Sequence, residues 1–153
     1  MSTPFVTNSE LPFSTTLMVR DSCLCLHVQR AARALARRFD EALRPHGLTN
    51  GQFSLLMSLN RPEPPPMGPV ASLLAMDRTT LTAALKPLER RGLVQVIPDP
   101  NDRRSRILKL TGAGRELLAE ALPVWRQTHD EIERGLPPGG DPEALRRGLR
   151  AIS

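Results

Sequence analysis

The sequence predicts a mainly α chain interrupted once by a small β-hairpin. Three observations predict it. Apolar residues recur at three- and four-residue steps along most of the length. The two segments that best suit strands, residues 93–97 and 106–110, flank one charged turn. Helix-starting and helix-stopping residues fall where the periodicity changes. At 153 residues the chain has the size of one ordinary domain or of one subunit of a dimer. Its 40% hydrophobic and 24% charged content is globular and argues against a wholly disordered chain. No apolar run approaches the roughly 18 residues needed to span a bilayer, so no membrane partner is expected. Residues 1–17 lack the basic flank and apolar block of a secretory leader. Cys23 and Cys25 lie too close together to staple a fold. The expectation is a soluble, cytoplasmic chain.

Residues 1–19, with Pro4 and Pro12, read as a polar arm, although Phe5, Phe13 and Leu17 offer apolar contacts. From residue 21 to 44 Leu24, Val28, Ala31, Leu35, Phe39 and Leu43 form a helical stripe, with Arg30, Arg33, Arg37, Arg38 and Glu41 on other faces. Pro45 and Gly47 end it. Thr49 and Gln52 have capping-box spacing, and Phe53, Leu56 and Leu59 follow on one face of a helix over 50–60. Residues 61–66 are too rich in proline for anything but an extended connector. A short helix over 69–74 takes Pro69 in its first turn. Asp77 caps the next helix, whose buried stripe is Leu81, Leu85 and Leu88 and whose stop is Gly92; Pro87 should bend its last turn. The two strands follow, with residues 98–105 as a charged tip. Thr111 caps a long helix reaching about Arg134, with a kink expected at Pro123. Asp141 and Pro142 open a final helix through Leu145, Leu149 and Ile152.

The order of these elements carries the functional signal. Two short helices, a helix with a polar outer face and a hairpin with a basic tip make a winged helix-turn-helix. A helix lying in a major groove must present short polar and basic side chains outward while an apolar stripe holds it to its support. Opposite the leucines the helix capped by Asp77 carries Arg78, Thr79, Thr82, Ala83, Lys86 and Arg90, and Thr80 is expected among the DNA contacts as well. The threonines suit base edges and thymine methyls, Arg78 can fork onto guanine, and Lys86 and Arg90 suit phosphates. At the hairpin tip Arg103, Arg104 and Arg106 put three guanidiniums within four residues, suited to a narrow, electronegative minor groove. Asp102 is expected to orient Arg104.

Charge distribution agrees. The chain carries 21 Lys+Arg against 16 Asp+Glu, net +5, and a dimer would carry twice that. Only Lys86 and Lys109 are lysine, and arginine suits planar contacts to phosphate and guanine. A GC-rich genome would give the same arginine bias, so distribution decides. From residue 77 to 109 eight bases oppose four acids (Asp77, Glu89, Asp99, Asp102), so +4 of the formal +5 falls there.

Three stretches resemble the MarR-type winged-helix transcription regulators: Met76 through Thr82, Leu88 through Val94, and Asp99 through Arg104 running on to Leu110-Thr111-Gly112-Ala113-Gly114. The resemblance covers about residues 20–150. Ala75 stands where a glycine often makes the helix–helix turn, and residues 61–68 are unusually rich in proline. After the polar arm at 1–19, the resemblance implies a dimerisation helix at 20–46, a DNA-binding lobe at 47–110 and C-terminal dimerisation helices at 111–153. It implies a homodimer gripping a pseudo-palindromic double-stranded operator, with half-sites about 10 bp apart. Apolar stripes on both terminal regions independently favour a dimer.

The family's usual signal is a small phenolic or aromatic acid, or an oxidant. Cys25 resembles the reactive position of the organic-peroxide-sensing subgroup, yet this chain has no tyrosine, and Phe39 and Gln29 stand at the corresponding places. A cysteine there equally packs as a small apolar residue. His27 and Arg33 can line a ligand pocket or make ordinary surface bonds. His27, His46 and His129 lack metal-ligand spacing, no cofactor is implied, and no nucleophile–base set or phosphate loop supports an enzyme. The rival reading is a winged-helix module that binds an acidic protein.

Overall fold

The computed structural model describes residues 11–153. It divides into two compact units with the boundary between Leu35 and Ala36. The expectations for Pro4 and Phe5 lie outside the described residues.

In the first unit, residues 13–19 are helical, contrary to the expected arm: α1 spans Phe13–Ser22. Pro12 precedes it in extended conformation and offers its carbonyl to the Thr15 amide at 3.0 Å, with no capping side chain to announce the start. The next helix, α2 (Leu24–Leu43), begins later than expected because Cys23 is extended (φ −71°, ψ 106°) and separates it from α1. The Cys23 sulfur accepts the Leu26 amide at 3.4 Å, serving as the cap. No described residue from 11 to 35 is buried, and of the α2 stripe only Leu43 is.

The second unit holds a closed core. A 3₁₀ turn, Arg44–His46, ends in Gly47 at φ 66° and leads to α3 (Asn50–Ser58). Thr49 accepts the Gln52 amide and Gln52 reaches back to the Thr49 amide, each at 3.1 Å, which completes the capping box. The proline-rich connector is extended, as expected, and also lies on the sheet edge. The Leu108 amide donates to the Pro65 carbonyl at 2.9 Å, and Pro66 bridges Ile107. Prolines are tolerated there because only their acceptors are needed.

Helix α4 (Met67–Leu73) starts two residues before Pro69, which still falls in the first turn. Helix α5 (Arg78–Arg90) begins at the Asp77 cap, runs through Pro87 and buries Leu81, Leu85 and Leu88. Strands β1 (Val94–Asp99) and β2 (Asp102–Leu110) pair antiparallel. They extend further into the tip than expected, because the turn needs only Pro100 and Asn101. Thr111 caps α6 (Gly112–Arg134), which runs through Pro123, and Asp141 caps α7 (Pro142–Ala151). Val94, Leu108 and Leu110 point with the α5 leucines into a core completed by Phe53, Leu56 and Val70. The helix-turn-helix with its hairpin wing is therefore the observed architecture. Among the described residues no helix is long and apolar enough to cross a membrane.

Candidate nucleic-acid interface

The three leucines of α5 are 3% exposed or less, so the helix is pinned and its other faces are fixed outward. Arg78, Thr79, Thr80, Thr82, Lys86 and Arg90 are all exposed, as the sequence predicts. The helix start is capped, with Asp77 Oδ1 accepting the Thr80 amide at 2.7 Å. That bond holds the Asp77 carboxyl below the usual carboxylate range. The Thr82 hydroxyl donates to the Arg78 carbonyl at 2.7 Å, so its methyl and remaining lone pairs are what it offers outward.

The hairpin supplies the second half. Residues 94, 96, 106, 108 and 110 share one sheet face, since Val94 pairs with Leu110, Val96 with Leu108 and Pro98 with Arg106. Val94, Leu108 and Leu110 reach the core, while Arg106 at the outer end of that face stays exposed. There it meets α5. Thr82, Leu85, Lys86 and Glu89 line a cleft of about 330 Å³ together with Met67, Val96 and Arg106. The cleft thus has an apolar floor and a basic group on each wall.

Beyond Pro98 the register breaks. Asp99 pairs with Asp102 although Pro98 pairs with Arg106, so Arg103, Arg104 and Ser105 stand outside the ladder. Both arginines are exposed. Asp102 does not hold the Arg104 guanidinium, as the sequence suggests; its Oδ1 accepts the Arg104 backbone amide at 3.0 Å. Asp99 likewise accepts the Asn101 amide at 2.8 Å. These short side chains stabilise the bulged backbone locally, which leaves the guanidiniums free to turn outward.

Sequence reasoning missed two braces. Arg91 Nη1 donates to the Gly47 carbonyl at 2.8 Å, and Arg115 Nη1 donates to Asn60 Oδ1 at 3.1 Å. A Cβ on Gly47 would stand 3.2 Å from Arg91 Nη2, so that glycine serves both its positive φ and this close approach. Partners 44 and 55 residues away leave no local signal.

The proposed signal residues lie in the first unit. Gln29 Nε2 donates to Cys25 Sγ at 3.1 Å and Arg33 Nη2 to Gln29 Oε1 at 3.3 Å, a ladder of i, i+4 contacts on α2. His27 Nδ1 lies 2.8 Å from the Cys23 carbonyl. Among the described residues no group of His, Cys, Asp and Glu forms a metal site. In the second unit Trp125 stacks with Phe39, Phe53 and His129 at centroid separations of 6.2, 5.9 and 4.9 Å. An apolar cleft of about 340 Å³ opens beside it, lined by Phe53, Ser54, Met57, Ser58, Leu73 and Trp125.

Comparison with known proteins bears on this surface. The model of the MarR family matches residues 48–105. The chain is 35% identical over 115 residues to the transcriptional activatory protein BadR of Rhodopseudomonas palustris, covering 71% of this chain and 65% of that protein. Its matches span 64–66% of the length of the first curated relatives. Among solved structures, the M. tuberculosis transcriptional regulator MosR in complex with DNA is 37% identical at a TM-score of 0.78, covering 86% of this chain and 93% of that one. CouR from Rhodococcus jostii bound to p-coumaroyl-CoA is 26% identical at a TM-score of 0.73, covering 86% and 92%.

Proposed function

The chain belongs to the MarR family, and from that premise we propose that it is a homodimeric, sequence-specific regulator of transcription. It binds double-stranded DNA and acts as a repressor that releases its operator on meeting a small aromatic ligand or an oxidant. The observation that carries the reading is the convergence of Thr82, Lys86 and Arg106 on one cleft beside the outward-standing Arg103 and Arg104. In this reading Arg78, Thr79, Thr80 and Thr82 face base edges in the major groove. Lys86, Arg90 and Arg106 take phosphates, and Arg103 and Arg104, set up by Asp102, enter the minor groove.

Two such lobes related by two-fold symmetry require half-sites about one helical turn apart. The bare apolar faces of α2 and α7 support pairing with a second copy. A signal acts by favouring a lobe spacing that no longer matches the duplex, and it does so only through its different affinity for the two spacings. MosR was solved with DNA and CouR with an aromatic thioester, which supports both kinds of partner. The cleft beside Trp125 has the apolar lining for an aromatic ring, and Cys25, His27 and Arg33 remain the candidates for a redox or acid signal.

The test is selection of bound fragments from genomic DNA, repeated with aromatic acids and with organic hydroperoxide. Arg104→Ala should weaken binding of the selected operator roughly tenfold or more without changing assembly. Lys86→Ala should weaken all duplexes alike, and Arg78→Ala should change sequence preference. Equal binding of operator and scrambled competitor would instead favour the acidic-protein reading.

A further inference from the structure

Four acids lie among the eight bases of residues 77–109, and three of them have structural work. Asp77 caps α5, Asp99 holds the Asn101 amide and Asp102 holds the Arg104 amide. Glu89 has none. Among the described residues its carboxylate makes neither a hydrogen bond nor an ion pair, and it is exposed. It also sits in the last turn of α5, where the carbonyl end of the helix disfavours a negative charge. Neither a bonded partner nor the helix dipole therefore favours an acid at this position.

Its location gives a reason for one. Thr82, Lys86 and Glu89 stand at i, i+4 and i+7, one stripe of α5, and all three line the cleft opposite Arg106. A strand of nucleic-acid backbone passing from the groove under α5 to the groove under the wing must cross between these elements. We propose that this cleft seats one phosphodiester strand, clasped by Lys86 and Arg106, and that Glu89 is an electrostatic brake on it. The inference rests on the DNA-binding reading above and adds a residue that works against binding.

A carboxylate beside the phosphates repels every duplex by about the same amount, whatever its bases. It also cancels part of the counterion release that Lys86 and Arg106 produce. Glu89 thus holds affinity low enough for the signal to strip the protein from DNA, while leaving the ratio of operator to other sequences intact.

The experiment measures affinity of the full-length protein and of Glu89→Gln for a selected operator and a scrambled duplex, over a salt series. Glu89→Gln should bind both duplexes about three- to tenfold tighter at low salt, with their ratio unchanged. The slope of log affinity against log salt should steepen by up to about one unit. The melting temperature should hold or rise slightly, since the removed charge opposed the helix dipole. Unchanged or weaker affinity, or a gain confined to the operator, would overturn the brake. A wild-type protein that binds no duplex would overturn the DNA reading itself, and affinity for DNA with an inert Glu89→Gln would overturn this inference alone.

Discussion

The winged lobe and the last helix use leucine in opposite ways. In the lobe Leu56, Leu81, Leu88 and Leu108 are completely buried. In and just after α7, Leu145, Leu149 and Ile152 are 51%, 41% and 63% exposed, although they too recur at i, i+4 and i+7. The polar face of α7 is already satisfied. Arg146 bonds Glu133 and Glu143, and Arg150 reaches Glu143 at 2.8 Å. An amphipathic helix with its charges paired and its apolar face bare has a surface to spare. The periodicity is alike in both regions; what differs is whether the same chain supplies the covering surface.

The largest expected effect breaks that contrast directly. Leu145→Glu combined with Leu149→Glu should convert the proposed dimer to single subunits in light scattering and cut operator affinity by more than about 100-fold, because one lobe would then bind without its twin. The fold of the lobe should survive. Leu88→Ala should do the reverse, lowering stability by about 3 kcal/mol while leaving assembly unchanged in whatever protein stays folded. If the α7 variant unfolds the chain instead of separating it, the exposed face belongs to this subunit's own core and the contrast fails.

Acid provides a milder test. Where α2 meets the lobe, Asp40 Oδ1 accepts the Asn50 amide at 2.7 Å and the Asn50 side chain at 2.8 Å, and its carboxyl is held below the usual range by those bonds. Asp77 is held low by the Thr80 amide, and Glu143 in α7 by Arg150 and Arg146. A carboxyl whose folded pKa is depressed stabilises the fold above its unfolded value, about 4, and stops doing so as pH falls through the lower folded value. Melting temperature should therefore be flat from neutral pH to about 5 and fall below about 4. Asp40→Asn should lower the plateau and shallow the fall. Exposed groups in water contribute little each, so a few degrees is the scale expected.

Helices α3, α5, α6 and α7 were legible because their signals are local. Thr49, Asp77, Thr111 and Asp141 each cap the helix that their spacing announces. Helix α1 was not legible because it starts after Pro12 with no capping side chain. The outward bulge of Arg103, Arg104 and Ser105 was hidden too, since it depends on register between two strands rather than on either strand's composition. The interface shows the same division. The outward bases of α5 follow from the leucine spacing alone. The isolation of Glu89 emerges only once the other three acids have found their partners in space.

The smallest expected effect concerns the joint between α4 and α5. Ala75 has a φ of 52°, the one non-glycine residue in the left-handed region among those described. The turn is held by the Met76 amide on the Ala71 carbonyl at 2.9 Å and the Ala75 amide on the Ser72 carbonyl at 3.2 Å. An L-residue with a Cβ pays about 1–2 kcal/mol in that conformation, whereas glycine there would cost roughly 0.4–1 kcal/mol through the freer unfolded chain. Ala75→Gly should therefore raise stability by up to about 1 kcal/mol, read as a rise of a few degrees in melting temperature. The proposed pairing through the terminal helices should not respond, because the relieved strain lies wholly within the lobe. A variant that melts lower would mean that the buried contacts of Val70, Ala71 and Leu81 on either side need the stiffness of alanine more than the turn needs freedom from it.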